Sequence, residues 1–235
     1  LRRDAGIGPN TVNKDISILK SALRKARVWE YSAPTLDQLA SVRRLKREKR
    51  HPFFFQKKVV ADLLKGLDGF WRTVVLIGVY AGLRRGELLS LRWEDVDFVS
   101  GMLKVVPRDG WSPKDREPRE IPMCKALRKH LKAWRAACGR GEKVLPWDKP
   151  FGAFSSAFTR ILRNAGIKRG SLHALRHTFA SWLAIAGVDT ARIAKLMGHS
   201  SIVTTQIYTH LMPSDLKDVV EKLPSLDDDP EEVQN

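Results

Sequence analysis

The sequence predicts a mainly α fold carrying a small antiparallel β-sheet, an α+β arrangement, and three observations predict it. Apolar residues recur at three- and four-residue spacing through most of the 235 residues, the period of a helix with one buried face. The pattern changes to strand character in one stretch, residues 96–123. There Asp97-Phe98, Leu103-Lys104-Val105-Val106 and Arg119-Glu120-Ile121-Pro122-Met123 are separated by a Ser100-Gly101 turn and a loop bearing Gly and Pro. Gly82, Gly166, Gly187 and Gly198 each follow an apolar-periodic run, where a helix stops.

The elements follow in order. Asn10 or Thr11 caps a first helix in which Val12, Ile16, Leu19, Leu23 and Ala26 form an apolar stripe, with Lys14, Lys20, Arg24 and Lys25 on the other faces. Residues 31–51 show no sustained hydrophobic period and carry Arg43, Arg44, Lys46, Arg47, Lys49 and Arg50, so they read as a basic linker. Residues 56–67 and 69–81 give two helices, the second apolar nearly all round and therefore central to the core. After its stop at Gly82, Leu83-Arg84-Arg85-Gly86-Glu87-Leu88 puts an arginine at the junction with the next helix, where it either pairs with Glu87 as a cap or meets a bound phosphate. Beyond the strands, helices are expected over residues 125–137, 151–165, 173–186, 190–197, 202–211 and 214–223. In the last, Leu216, Val219, Val220 and Leu223 make a stripe that covers either its own core or a neighbouring molecule.

The formal net charge of +16 points to a polyanionic partner, because clustered Lys and Arg release counterions when they bind nucleic acid. The excess is uneven. Residues 1–50 hold 13 Lys and Arg against 5 Asp and Glu, and residues 1–224 hold 42 against 21, the remaining acids lying at Asp227, Asp228, Asp229, Glu231 and Glu232. Such an acidic end is expected to be disordered and solvated. Cys124 and Cys138 sit on one helical segment too far apart to bridge, which suits a reducing compartment. The longest apolar run, near residues 73–83, falls far short of the roughly 20 residues a membrane span needs, and no secretory leader opens the chain. A cytoplasmic protein with no membrane partner is the expectation.

The chemistry concentrates in residues 173–212. His173, Arg176 and His177 stand at i, i+3 and i+4, so on a helix all three leave one face and can converge on one anion. His199 follows the Gly198 stop, and Tyr208 lies nine residues further on. Arginine offers a planar fork for phosphate oxygens, histidine moves protons near neutral pH, and tyrosine supplies a hydroxyl nucleophile. Each part alone is weak: a His-x-x-Arg-His is more often a salt-bridged helix face, and a lone tyrosine a packed aromatic. Glu94, Asp95 and Asp97 offer a rival, a metal-dependent nuclease site, although they straddle a helix-to-strand boundary.

The conjunction is more specific. Ala81-Gly82-Leu83-Arg84-Arg85-Gly86-Glu87, Lys114 ahead of Arg119-Glu120-Ile121-Pro122, His173-Ala174-Leu175-Arg176-His177, Leu196-Met197-Gly198-His199-Ser200-Ser201 and Thr204-Thr205-Gln206-Ile207-Tyr208-Thr209-His210 occur in one order. That series resembles the tyrosine recombinases, also called phage integrases. The resemblance implies a recombinase catalytic domain over residues 51–224. Residues 1–50 would be the C-terminal part of a helical, SAM-like core-binding domain with its basic linker, and residues 225–235 a disordered tail.

It implies further that Tyr208 attacks the scissile phosphate to give a 3′-phosphotyrosyl intermediate, with no metal, ATP or other cofactor. Arg84 and Arg176 would clamp the phosphate, His173 act as base or proton carrier, Lys114 as general acid and His199 as a hydrogen-bonding stabiliser. Lys114 is preferred over nearby Lys104 and Arg108 for its place seven residues before Ile121. His177 would orient and pack its helix, and Glu87 fix the Arg84 region. Lys20, Arg24, Arg43, Arg44, Lys46 and Arg47 are the candidates for backbone contact with DNA. The implied partners are double-stranded DNA, three further protomers on synapsed DNA for a chain monomeric when free, and accessory DNA-bending proteins. The implied setting is the nucleoid of a bacterium or archaeon, or a phage. Rivals are a DNA-binding module of the same fold without chemistry and a type IB topoisomerase.

Overall fold

The computed structural model describes residues 8–28, 36–45, 51–108, 118–139 and 141–213. Lys46, Arg47, Lys114, the helix expected over residues 214–223 and the acidic tail lie outside the described residues. The chain divides into two compact units, Leu1–Arg50 and His51–Asn235.

In the first unit, α1 (Pro9–Val28) begins ahead of the expected Asn10 or Thr11 cap. The Gly8 carbonyl takes the first turn's bonds from the Thr11 and Val12 amides, and Pro9 sits at the first helical position, where its missing N–H has no bond to lose. A short helix, α2 (Leu36–Ser41), interrupts the expected linker; six residues are too few for a hydrophobic period to be legible. Asn13, 1% exposed, ties α1 to the segment after α2, donating to the Leu45 carbonyl at 2.9 Å and accepting from the Leu45 amide at 2.7 Å. Two candidate DNA contacts are engaged within this unit: Lys20 donates to the Val42 carbonyl and Arg44 to the Ser17 hydroxyl. Arg24 and Arg43 are exposed. Leu19, expected on the apolar stripe, is also exposed.

In the second unit, α3 (Lys57–Lys65) leads into α4 (Gly69–Ala81), whose first turn is capped by the Asp68 carboxylate accepting from the Trp71 amide. Every residue of α4 from Thr73 to Val79 is buried, as its all-round apolar sequence requires. It packs on α6 (Lys125–Cys138) and most extensively on α8 (Leu172–Ile185). The approach to α8 is close at Gly78, where an added Cβ would lie 2.7 Å from the Leu175 Cβ. The short helix α5 (Arg85–Ser90) follows Gly82, and α7 (Phe151–Asn164) packs on α8.

The sheet has the expected antiparallel order: β1 (Val96–Asp97), β2 (Met102–Val105) and β3 (Arg119–Pro122). Leu103 pairs with Ile121 facing the core, while Lys104 opposes Glu120 on the solvent side, so the period-two alternation fixes the register. Cys124 and Cys138 bracket α6 as free thiols.

The expected helix over residues 202–211 is replaced by two 3-10 turns, Ile202–Thr204 and Gln206–Leu211, after α9 (Thr190–Met197). The β-branched run Ile202-Val203-Thr204-Thr205 disfavours an α-helix, and a three-residue period stacks Thr205 and Tyr208 on one buried face. No helix among the described residues is long and apolar enough to cross a membrane.

Gly82 closes α4 with φ +62°, and a Cβ there would meet Phe179 Cδ1 at 2.4 Å. Gly82→Ala is therefore expected to lower stability by roughly 2–4 kcal/mol, from left-handed strain and overpacking together, read as a shifted urea midpoint at constant slope. Gly66→Ala serves as the control, since its φ is −96° and the added Cβ meets nothing within 4 Å; its midpoint should barely move.

Candidate active site

The site is organised by one carboxylate. Glu87 stands in the first turn of α5 and is 1% exposed. The Arg84 amide donates to its Oε2 at 2.8 Å and the Arg84 guanidinium to its Oε1 at 3.2 Å. Arg119, carried by β3, grips both oxygens at 2.9 and 2.6 Å in the two-pronged geometry a guanidinium favours. Arg176 Nη1, from α8, lies 3.9 Å from Oε2. Burial would raise the Glu87 pKa, but the bonds and charge of Arg119, the Arg84 amide and the Arg176 charge outweigh it and hold the carboxyl below its ordinary value.

The same three arginines share a second anchor, the end of α9. Gly198 adopts φ +61° and closes α9 in a Schellman turn, with the Gly198 amide on Lys195 O and the His199 amide on Ala194 O. That leaves three successive carbonyls open. Leu196 O accepts from Arg119 Nε at 3.1 Å, Met197 O from Arg176 Nη2 at 2.6 Å and Gly198 O from Arg84 Nη2 at 2.8 Å. Arg176 also donates to Gly82 O at 2.6 Å, so one guanidinium ties the end of α4 to the end of α9. A Cβ on Gly198 would press to 2.9 Å from Arg119 Cδ. The partial negative charge of the helix end suits this gathering of cations. Burial, and then the Arg84 charge, push the Arg176 pKa down to about 9 against the pull of Glu87.

Beside this cage lie three histidines and a tyrosine. Ser171 caps α8 by accepting from the Ala174 amide, which fixes His173 in the first turn, exposed to solvent. One turn on, His177 meets the His173 ring edge to face at 4.5 Å. Its Nδ1 lies 2.5 Å from the Tyr208 hydroxyl, and Tyr208 is 1% exposed. His199 Nδ1 lies 2.8 Å from the Thr205 hydroxyl. Burial pushes the Tyr208 phenol up to about 12, with Arg176 opposing. Burial, His173, Arg176 and His199 push His177 down to about 4, and burial with Arg176 and Arg84 also lowers His173. The resting pair is thus a protonated phenol against a neutral imidazole.

The structure brings Arg84, His173, Arg176, His199 and Tyr208 into one region; Lys114 falls outside the described residues. A cavity of about 670 Å³ is lined by Arg84, Lys104, Arg119, Lys195, Gly198 and His199. Two residues of the site were not assigned such places from sequence. Arg119 shares the inward face of β3 with Ile121, so a cation at an inward period-two position was the available signal. His177, expected to orient and pack its helix, instead contacts the tyrosine hydroxyl. The rival carboxylates do not converge. Asp95 accepts from the Arg92 amide, Glu94 and Asp95 both pair with Arg108, and Asp97 caps the turn at Val99 and Ser100. No group of three or more His, Cys, Asp or Glu side chains among the described residues is placed to hold a metal ion.

A mostly helical domain that gathers arginines, histidines and a tyrosine from separated segments around one buried carboxylate defines a class, the phage integrases. The chain belongs to the phage integrase family, whose family model matches residues 54–214. It is 26% identical over 222 residues to the integrase of Escherichia phage P2, covering 93% of this chain and 60% of that protein. It is 29% identical over 189 residues to a tyrosine recombinase of Pseudothermotoga lettingae, covering 77% of this chain and 64% of that protein. The chain thus spans less than two thirds of the length of either relative. The fold matches the Tn1549 transposon integrase, solved in complex with transposon right end DNA, at a TM-score of 0.71 and 22% identity, covering 95% of this chain and 82% of that one.

Glu87→Gln is expected to cost about 3–5 kcal/mol near neutral pH, because it leaves buried guanidinium groups without their counter-charge. Since the Glu87 pKa is depressed in the folded state, its contribution is complete above the ordinary value of 4.5 and fades as pH falls through the folded value. Urea unfolding of both proteins at neutral pH and in acid should therefore show the gap between them shrinking in acid.

Proposed function

We propose that this chain is the catalytic part of a site-specific DNA recombinase that cuts and rejoins strands through a phosphotyrosyl intermediate. The observation that carries the reading is the position of Tyr208, its hydroxyl beside His177 and under the influence of the Arg176 charge that belongs to the arginine cage. The family supports integration and recombination of DNA as the reaction class, and the Tn1549 integrase, solved with DNA, supports a duplex as substrate. Residues 51–224 form the catalytic domain in this reading. Residues 1–50 are the end of a core-binding domain whose Arg24 and Arg43 remain open to backbone phosphates.

Tyr208 Oη attacks the scissile phosphorus, the P–O5′ bond breaks, and the strand end stays esterified to the enzyme. Arg84 and Arg176 stabilise the charge on the nonbridging oxygens, the role in which preorganised cations contribute most. His199 donates to the phosphate, His173 carries protons, and Lys114 protonates the departing 5′ oxygen. Bond energy held in the ester lets a 5′-hydroxyl of a partner duplex reverse the step, so strands are exchanged without ATP or metal. Four protomers on two synapsed duplexes would complete such an exchange.

The test is a nicked suicide duplex bearing the protein's target site, incubated in EDTA. A covalent adduct should form with the unaltered protein and be missing in Tyr208→Phe. Arg176→Ala should slow its formation at least about 100-fold while the gel-shift affinity changes little, since most affinity comes from other phosphate contacts. An adduct in Tyr208→Phe, or cleavage abolished by EDTA, overturns the reading.

A further inference from the structure

The proposed chemistry gives His177 no part in the reaction, although its Nδ1 lies in a short bond with the Tyr208 hydroxyl. The Tyr208 hydroxyl meets His177 Nδ1, and the ring sits in a small apolar cluster of Phe179, Ala180, Ala184, Ile193 and Met197. The groups that face His177 are His173 and Arg176 from α8, His199 from the turn after α9, and Tyr208 from the second 3-10 turn. His177 is half-buried, and His173, against its ring, is solvent-exposed. The order from interior to surface is therefore phenol, inner imidazole, outer imidazole.

We infer that His177 is a further catalytic residue, the group whose Nδ1 accepts the phenolic proton of Tyr208 as the oxygen attacks phosphorus. This rests on the reading of Tyr208 as nucleophile. In the step, the Tyr208 O–H bond breaks and its proton passes to Nδ1; the new O–P bond forms from the electron pair left on oxygen. The P–O5′ bond breaks, and the 5′ oxygen takes its proton from the separate general acid. His177 becomes an imidazolium, which discharges on the side where His173 meets solvent.

The electrostatics couple this base to substrate. In the free protein, burial keeps the phenol protonated against the pull of Arg176, while burial and the charges of His173, Arg176 and His199 keep His177 neutral and able to accept a proton. A phosphate seated among the arginines offsets the Arg176 charge and so raises the basicity of His177 and, with it, that of the phenolic oxygen that attacks. His173, farther from the hydroxyl and open to water, acts as the outer carrier.

The experiment measures single-turnover cleavage of the suicide duplex against pH for His177→Asn, whose side-chain oxygen can replace Nδ1 as an acceptor but cannot hold the proton. Its rate should fall about 100-fold or more, and the decline of wild-type cleavage toward low pH should disappear. A duplex with a 5′-bridging sulfur at the scissile position, whose leaving group needs no proton, should restore Lys114→Ala but not His177→Asn. Wild-type rate with an unchanged acid limb in His177→Asn, or rescue of that variant by sulfur, overturns the inference. Should the Asn variant fail to bind DNA or to unfold cooperatively, His173→Asn decides: its acid limb must persist, and loss of the limb there transfers the role to His173. An adduct in Tyr208→Phe would instead sink the underlying reading, so the two failures are told apart.

Discussion

Three guanidinium groups, from the α4–α5 junction, β3 and α8, share the single carboxylate of Glu87. Removing that carboxylate from water is unfavourable by itself, and it is offset only because Arg119 pairs with both oxygens and Arg84 caps them. The consequence is positional. Segments far apart in sequence are pinned to one point, and none of the three arginines can shift without leaving a buried charge unmatched.

The pin leaves the site deliberately unbalanced. Three cations against one carboxylate would repel, and the backbone answers with the carbonyls of Leu196, Met197 and Gly198, freed because the Schellman turn bonds the amides of Gly198 and His199 further back. Dipoles offset charge without neutralising it. Burial first and the Arg84 charge second depress the pKa of Arg176, and an anion among the guanidinium groups would offset the charge they share. Gly82 and Gly198 have the same logic. Both adopt left-handed backbone, both offer a carbonyl to an arginine, and both stand where a Cβ would strike Phe179 or Arg119.

Much of this was legible in the sequence because it is local. The all-round apolar run of α4, the alternation of Leu103, Lys104 and Val105, and the glycines closing helices each follow from a few neighbouring residues. The cluster His173, Arg176 and His177 was legible for the same reason, since helical spacing alone puts them on one face. What could not be read was tertiary. Nothing near Arg119 announces that its partner is thirty-two positions away at Glu87, and nothing near His177 announces Tyr208. The α2 helix was too short to show a period. Over residues 202–211, Val203, Ile207 and Leu211 recur at i, i+4 and i+8, the spacing of a helix, and only burial shows that Thr205 and Tyr208 turn inward on two 3-10 turns.

Residues 202–211 divide sharply by burial. Tyr208 belongs to a small cluster separate from the main core, and the turn before it, Ile202–Thr204, buries none of its residues. Ile202, Val203 and Ile207 point outward. The Ile202–Thr204 turn therefore opens at a lower free energy than α4 or α8, whose displacement would disrupt the core. The tyrosine itself is anchored beyond that turn, in the cluster that includes Ile193 and Met197 of α9, the helix whose last carbonyls hold the arginines. With Tyr208 1% exposed and none of the residues of the turn before it buried, the freedom to move lies in that turn and the fixed geometry in α8 and α9.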